Sequence, residues 1–173
     1  MGTARLVHHA RDVASTRKLD LARRLEPAVG GALAGVIGAG VLLLLITVDG
    51  VANGRDFWQP LKAGGALIFG DRAALPGFDL APVLTGIHGQ FLVWLAFGGL
   101  FGVLARGRTN TVTMGAVWGG AMGVGLCLLP AMVGLTIGLP MSGIILPAYV
   151  TAGMAMGYSY LPFQVVMPPT RAA

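Results

Sequence analysis

The stretch LTGIHGQFLVW, residues 84–94, sets a histidine in the middle of apolar sequence. His88 is the sole histidine beyond the N-terminal tail, which carries His8 and His9. An imidazole in such a setting is open to three roles: ligand, proton carrier, or hydrogen-bonding group that keeps helices in register. Thr85 lies one turn before it on the same helical face, and Gln90 and Tyr149 are further polar side chains that could join it in an intramembrane cluster. A haem held by two histidines would need its second ligand from a neighbouring subunit. Proton relays run on chains of acids and histidines, and no Asp, Glu, Lys or Arg lies inside the four apolar spans defined below. A passive pore lined by Thr85, His88, Gln90 and Tyr149 stays open as an alternative to a structural His88.

Catalysis of the soluble kind has no residue set to work with. The chain contains no Walker, HExxH, CxxC or GxSxG motif. The strings GVIGAG (35–40) and GAGVL (38–42) lie inside an apolar helix with no preceding strand, which is the wrong setting for a dinucleotide fingerprint. Cys127 is alone, so an internal disulfide and a cysteine-based zinc site are both excluded. The expectation is therefore no catalytic residue, no metal, no cofactor, and no enzyme activity.

The elements that must hold these residues follow from composition. Of 173 residues, 55% are hydrophobic and only 11% charged, against about 25% charged in soluble domains. The net charge of +5 does not point to nucleic acid, because the basic residues sit at segment ends without an aromatic-basic surface pattern. Residues 1–26 hold six of the twelve Lys and Arg, with apolar residues at helical spacing, and predict a basic amphipathic helix on the membrane surface. Four apolar runs follow at 27–48, 80–105, 112–138 and 141–160, each near the ~20 residues that cross ~30 Å of hydrocarbon. The predicted fold is an all-α membrane protein, a four-helix transmembrane bundle over 27–160 with a short C-terminal tail, 161–173. Pro27 suits a first helical turn, and Asp79 is placed to cap the second span. Lys and Arg counts put both termini in the cytoplasm. The outer loop, 49–79, is too long for a turn. Its LKAGGALIFG core predicts a short helix at or dipping into the outer interface, with Phe57 and Trp58 at headgroup depth. The GLP of 138–140 predicts a tight hairpin turn.

Glycines and prolines predict how the spans pack. Gly115, Gly119 and Gly123 form a double GxxxG in the third span, Gly31 and Gly35 repeat the pattern in the first, and Gly153 and Gly157 in the fourth. Small residues at this spacing let helices approach closely, within the bundle or against another subunit. Pro130 and Pro147 predict kinks that free the carbonyls of Leu126 and Gly143. Counted from the outer ends, His88, Pro130 and Pro147 lie at ~13, ~12 and ~10 Å. They share one layer, so His88 is placed to donate to one of those carbonyls.

Phe57, Trp58, Pro60 and Leu61 (FWxPL), Gly77, Phe78 and Asp79 (GFD), and His88 together form a pattern. With the glycine-rich first and third spans and the proline-containing hairpin, residues 28 to about 160 resemble a family of small bacterial four-helix integral membrane proteins of no established activity. The basic tail is not part of that pattern. The resemblance implies the four-helix fold and the bacterial inner membrane, and leaves function open. The leading expectation is a non-catalytic accessory or structural subunit of a larger membrane complex, a respiratory or other energy-converting one being the first class to consider. Its partners are other membrane-protein subunits and lipids. The alternative is a small channel or transporter with a passage near His88.

Overall fold

A computed structural model describes the backbone of residues 2–109, 111–137 and 143–164, and side chains over 26–109, 111–129 and 143–164. Among the described residues every regular element is helical. The first helix, α1, runs Gly2–Ala52 with Pro27 inside it. The basic tail expected over 1–26 and the span expected from residue 27 are thus consecutive parts of one helix, whose membrane-crossing portion begins at Glu26. Proline removes the helical donor for the carbonyl four residues back, that of Arg23. That carbonyl precedes the apolar run, where water accepts the role of partner, so the helix has no need to stop.

Three further long helices follow: α2, Leu80–Ala105; α3, Val112–Ile137; and α4, Ile145–Ser159. Segments of 27, 26 and 18 residues in α1, α2 and α3 (Glu26–Ala52, Leu80–Ala105 and Val112–Leu129) are long and apolar enough to cross a membrane. At the helical rise these are ~40, ~39 and ~27 Å long, against a hydrocarbon core of ~30 Å. The protein is thus an all-helical, multi-pass membrane protein. Helix α4 has 15 residues, about 22 Å. The predicted GLP turn, residues 141–142 of the predicted fourth span, residues 165–173 and the side chain of Pro130 lie outside what the structure describes.

In space the order of packing is α2, α1, α4, α3, while α2 and α3, neighbours in sequence, scarcely touch. Two antiparallel pairs make up this arrangement. Pro27, Gly31 and Gly35 of α1 lie across from Gly102, Gly98 and Trp94 of α2, and a β-carbon on Gly31 would overlap the Gly98 carbonyl. Gly115, Gly119 and Gly123 of α3 lie across from Gly157, Gly153 and Tyr149 of α4 in the same register. The pairs join where α1 meets α4: a β-carbon on Gly38 would stand 3.1 Å from the Ala152 carbonyl. The core between them holds Ala34, Leu42, Trp94, Phe101, Ala152, Met156 and Tyr160, with Leu126 from α3. Since lipid is as apolar as these side chains, close backbone approach and interhelical hydrogen bonds supply much of the association energy.

Pro147 is the third residue of α4. Its missing N–H falls among the first-turn donors that have no helical acceptor anyway, so it does not kink the helix and frees no carbonyl at Gly143. Helix α3 continues through position 130 to Ile137.

Candidate functional site

His88 belongs to α2, eight residues in from Leu80, ~12 Å along the helix. Its ring is exposed, and Nδ1 lies 2.7 Å from the Leu84 carbonyl of its own helix. A carbonyl only accepts, so Nδ1 is the donor in this bond. This corrects the expected bond from His88 to Leu126 or Gly143. The azimuth of His88 decides it, because Gly98, Gly102 and Trp94 turn another flank of α2 toward α1 and the core. Leu84, Leu92 and Leu95, beside His88 at helical spacing, are 45%, 64% and 44% exposed.

The expected cluster therefore divides. Gln90 of α2 and Tyr149 of α4 come near one another. The Tyr149 ring stacks on Trp94 with centroids 6.1 Å apart. Trp94 is fully buried, and its Nε1 has no partner among the described residues. Thr85 is half-buried on α2, one helical turn before His88. Among the described residues no group of three or more His, Cys, Asp or Glu comes together to hold a metal ion.

The loop between α1 and α2 contains the group that sequence reasoning missed. Short helical pieces, Gln59–Lys62, Ala63–Gly65 and Ala66–Phe69, run on from one another and end at Gly70, whose φ of 53° favours glycine. They lie along the first turns of α2. A β-carbon on Gly65 would stand 2.7 Å from the Pro82 carbonyl, and one on Gly86 would overlap the Leu61 carbonyl. Lys62 is completely buried. Its Nζ donates to the Gly77 carbonyl at 2.9 Å and to the Leu75 carbonyl. The Asp56 carboxylate accepts from the Gly77 N–H at 2.9 Å. Asp79 stands at the N-cap position but makes no side-chain cap. Its carboxylate instead takes a fork from Arg72, Nε at 2.7 Å and Nη2 at 3.0 Å. That hydrogen-bonded guanidinium holds the Asp79 carboxyl below the usual carboxylate range and raises Arg72 in turn. Phe57, Trp58 and Phe78 pack edge to face, with centroids 5.0 and 4.7 Å apart.

The opposite end is tied down as well. Tyr160 Oη, just past α4, donates to the Gly102 carbonyl at 2.9 Å, with Phe101 packed edge-on to its ring. Gln164 donates to Thr109, buried in the α2–α3 connection, at both carbonyl and hydroxyl oxygens. Two of these features carried a signal in the sequence: Trp94-x3-Gly98-x3-Gly102 and Tyr149-x3-Gly153-x3-Gly157 are the same aromatic–glycine pattern. Lys62 carried none, since a lysine in a loop reads as solvated. Compared with family models, curated proteins and solved structures, the chain finds no match, so its resemblance to small four-helix membrane proteins rests on the FWxPL, GFD and His88 residues themselves.

Proposed function

We propose that the protein is a non-catalytic accessory or structural subunit of a larger membrane complex, held in the bacterial inner membrane with both termini in the cytoplasm. The observation that carries this reading is what its polar side chains do. Lys62 gathers the carbonyls of Leu75 and Gly77, Tyr160 ties the end of α4 to α2, and Gln164 grips Thr109. These are bonds from side chain to backbone that fix one segment against another, at both ends of the bundle. Arg72 and Asp79 add a side-chain ion pair that fixes the outer loop against the start of α2.

Helix α4 serves as the fourth span in this reading. It runs antiparallel to α3 with Gly157, Gly153 and Tyr149 level with Gly115, Gly119 and Gly123, so the depth of α3 sets that of α4. The loop lies at the outer interface, where Leu67 and Ile68, 73% and 72% exposed, meet lipid and the aromatic trio sits at headgroup level. A passage near His88 draws less support, because the ring stands on the outer side of α2. Affinity purification from membranes in mild detergent, with identification of all co-purifying chains, tests the proposal. A reproducible set of other membrane proteins in fixed ratio is expected. Recovery of this chain with no other protein overturns it.

A further inference from the structure

We propose that the turn joining α2 to α3 binds the headgroup of an anionic phospholipid, its phosphate held by the guanidinium groups of Arg106 and Arg108. Leu80–Ala105 and Val112–Leu129 are both long and apolar enough to cross the membrane, so the residues between the two helices, 106–111, lie at a membrane surface.

The turn is fixed before any ligand arrives. Arg106, at φ −52° and ψ 118°, and Gly107, at φ 71°, have the angles of a type II turn. The Arg108 N–H closes it on the Ala105 carbonyl at 2.9 Å. Thr109 is buried behind it, with its hydroxyl donating to the same carbonyl at 3.3 Å and both its oxygens gripped by Gln164. Thr111 Oγ1 accepts from the Met114 N–H at 3.2 Å and so caps the start of α3. Arg106 and Arg108 are therefore exposed side chains on an ordered backbone, and such preorganisation lowers the cost of binding.

Charge names the occupant. Arg108 gives one N–H to the Leu104 carbonyl, from Nη1 at 3.0 Å, and among the described residues neither arginine pairs with a carboxylate. The antiparallel register that sets Pro27 beside Gly102 brings backbone positions 23 and 24 of α1, both arginine, to the level of Arg106. Of the acids with described side chains, Asp49, Asp56, Asp71 and Asp79 belong to the opposite end of the bundle and Glu26 alone to this one. Guanidinium has the planar fork that matches phosphate, and basic clusters beside spans recruit anionic lipids. The apolar half of such a ligand is met as well. Helices α2 and α3 scarcely touch, which leaves Leu100, Val103 and Leu104 of α2 and Val112 and Met114 of α3, all exposed beneath the turn, open to acyl chains. A free phosphate ion would use the arginines and leave those flanks unmatched. This goes beyond the accessory role and rests only on α2 and α3 crossing the membrane, so recovery of the chain without neighbours would leave it standing.

Native mass spectrometry of the full chain in detergent, titrated with phosphatidylglycerol or phosphatidylcholine, tests it. The unmodified chain should take up phosphatidylglycerol in preference to phosphatidylcholine. Arg106→Gln combined with Arg108→Gln should weaken that uptake about tenfold or more, with thermal stability unchanged because both side chains are exposed. Arg55→Gln, at the other end, should leave it intact. Gly107→Val keeps every charge but strains a φ of 71°, so a site made by the turn should lose phosphatidylglycerol, whereas diffuse attraction would not. Undiminished uptake in the paired glutamine variant or in Gly107→Val overturns the proposal. So does equal binding of phosphatidylcholine, or displacement of phosphatidylglycerol by inorganic phosphate, which would make the ligand a free anion.

Discussion

At Gly119 a β-carbon would overlap the Gly153 carbonyl and stand 2.9 Å from the Gly157 Cα. Both obstacles are backbone, so neither can swing aside. Overpacking ordinarily costs about 1–3 kcal/mol, and Gly119→Leu should reach the top of that range or prevent folding, read as loss of thermal stability in detergent. Gly125, with nothing within 4 Å of its β-position, is the contrast. Gly125→Ala should be neutral or stabilising by up to about 1 kcal/mol. Lys62 makes a different prediction. Lys62→Met keeps the stem but leaves the Leu75 and Gly77 carbonyls without their donor, at about 1–3 kcal/mol each when buried, and the loop should become sensitive to protease from outside. The Arg72–Asp79 pair adds a pH dependence. Its folded pKa is depressed, so its contribution is complete above the unfolded value of about 3.9 and is lost as pH falls through the lower folded value. Acid-induced loop opening should therefore lose one component in Asp79→Asn. Residue types announced His88 and the GxxxG glycines. They could not announce the direction of His88, which depends on where Gly98 and Gly102 turn α2. Nor could they place Lys62, whose partners stand 13 and 15 residues away.

Among the elements, the spans were readable because hydrophobic length is a property of sequence alone: Leu80–Ala105 has the limits its composition implies. That the helix carries on through Pro27 was not, since a proline permits a helix start without enforcing one when the freed carbonyl meets water. Pro147 misled in the opposite sense, because its effect depends on how far it lies from the helix start. Likewise the pairing of helices could not be read from the glycine stripes, which state that something comes close and not what. The register they adopt suggests a test at this scale. If each pair is a unit and α1 against α4 is the joint, residues 1–107 and 111–173 expressed together as two chains should co-purify. Gly38→Leu, which would push into the Trp94 ring, should separate them. Failure of the unmodified halves to associate would mean that the short α2–α3 connection, more than the joint, keeps the pairs together.

For the molecule as a whole, the balance of charge predicts orientation. The N-terminal tail holds six Lys and Arg, and Arg106 and Arg108 flank the α2–α3 connection. A reporter fused after Ala173 should be active in the cytoplasm and one inserted within 52–78 outside. The reverse pattern would invert the depth assigned to every residue above. The gap between α2 and α3 has a consequence for how such a chain is made. Synthesis delivers the helices in the order α1, α2, α3, α4, but α3 rests almost entirely on α4 and the core closes only where α1 meets α4. After the third helix emerges, then, the chain holds a finished α1–α2 pair beside a helix whose glycine face is bare. That interval ends only with the last and shortest helix. A ribosome stalled before Tyr149 would leave a product that inserts yet cannot complete itself, a natural target for membrane proteases that recognise unpaired spans.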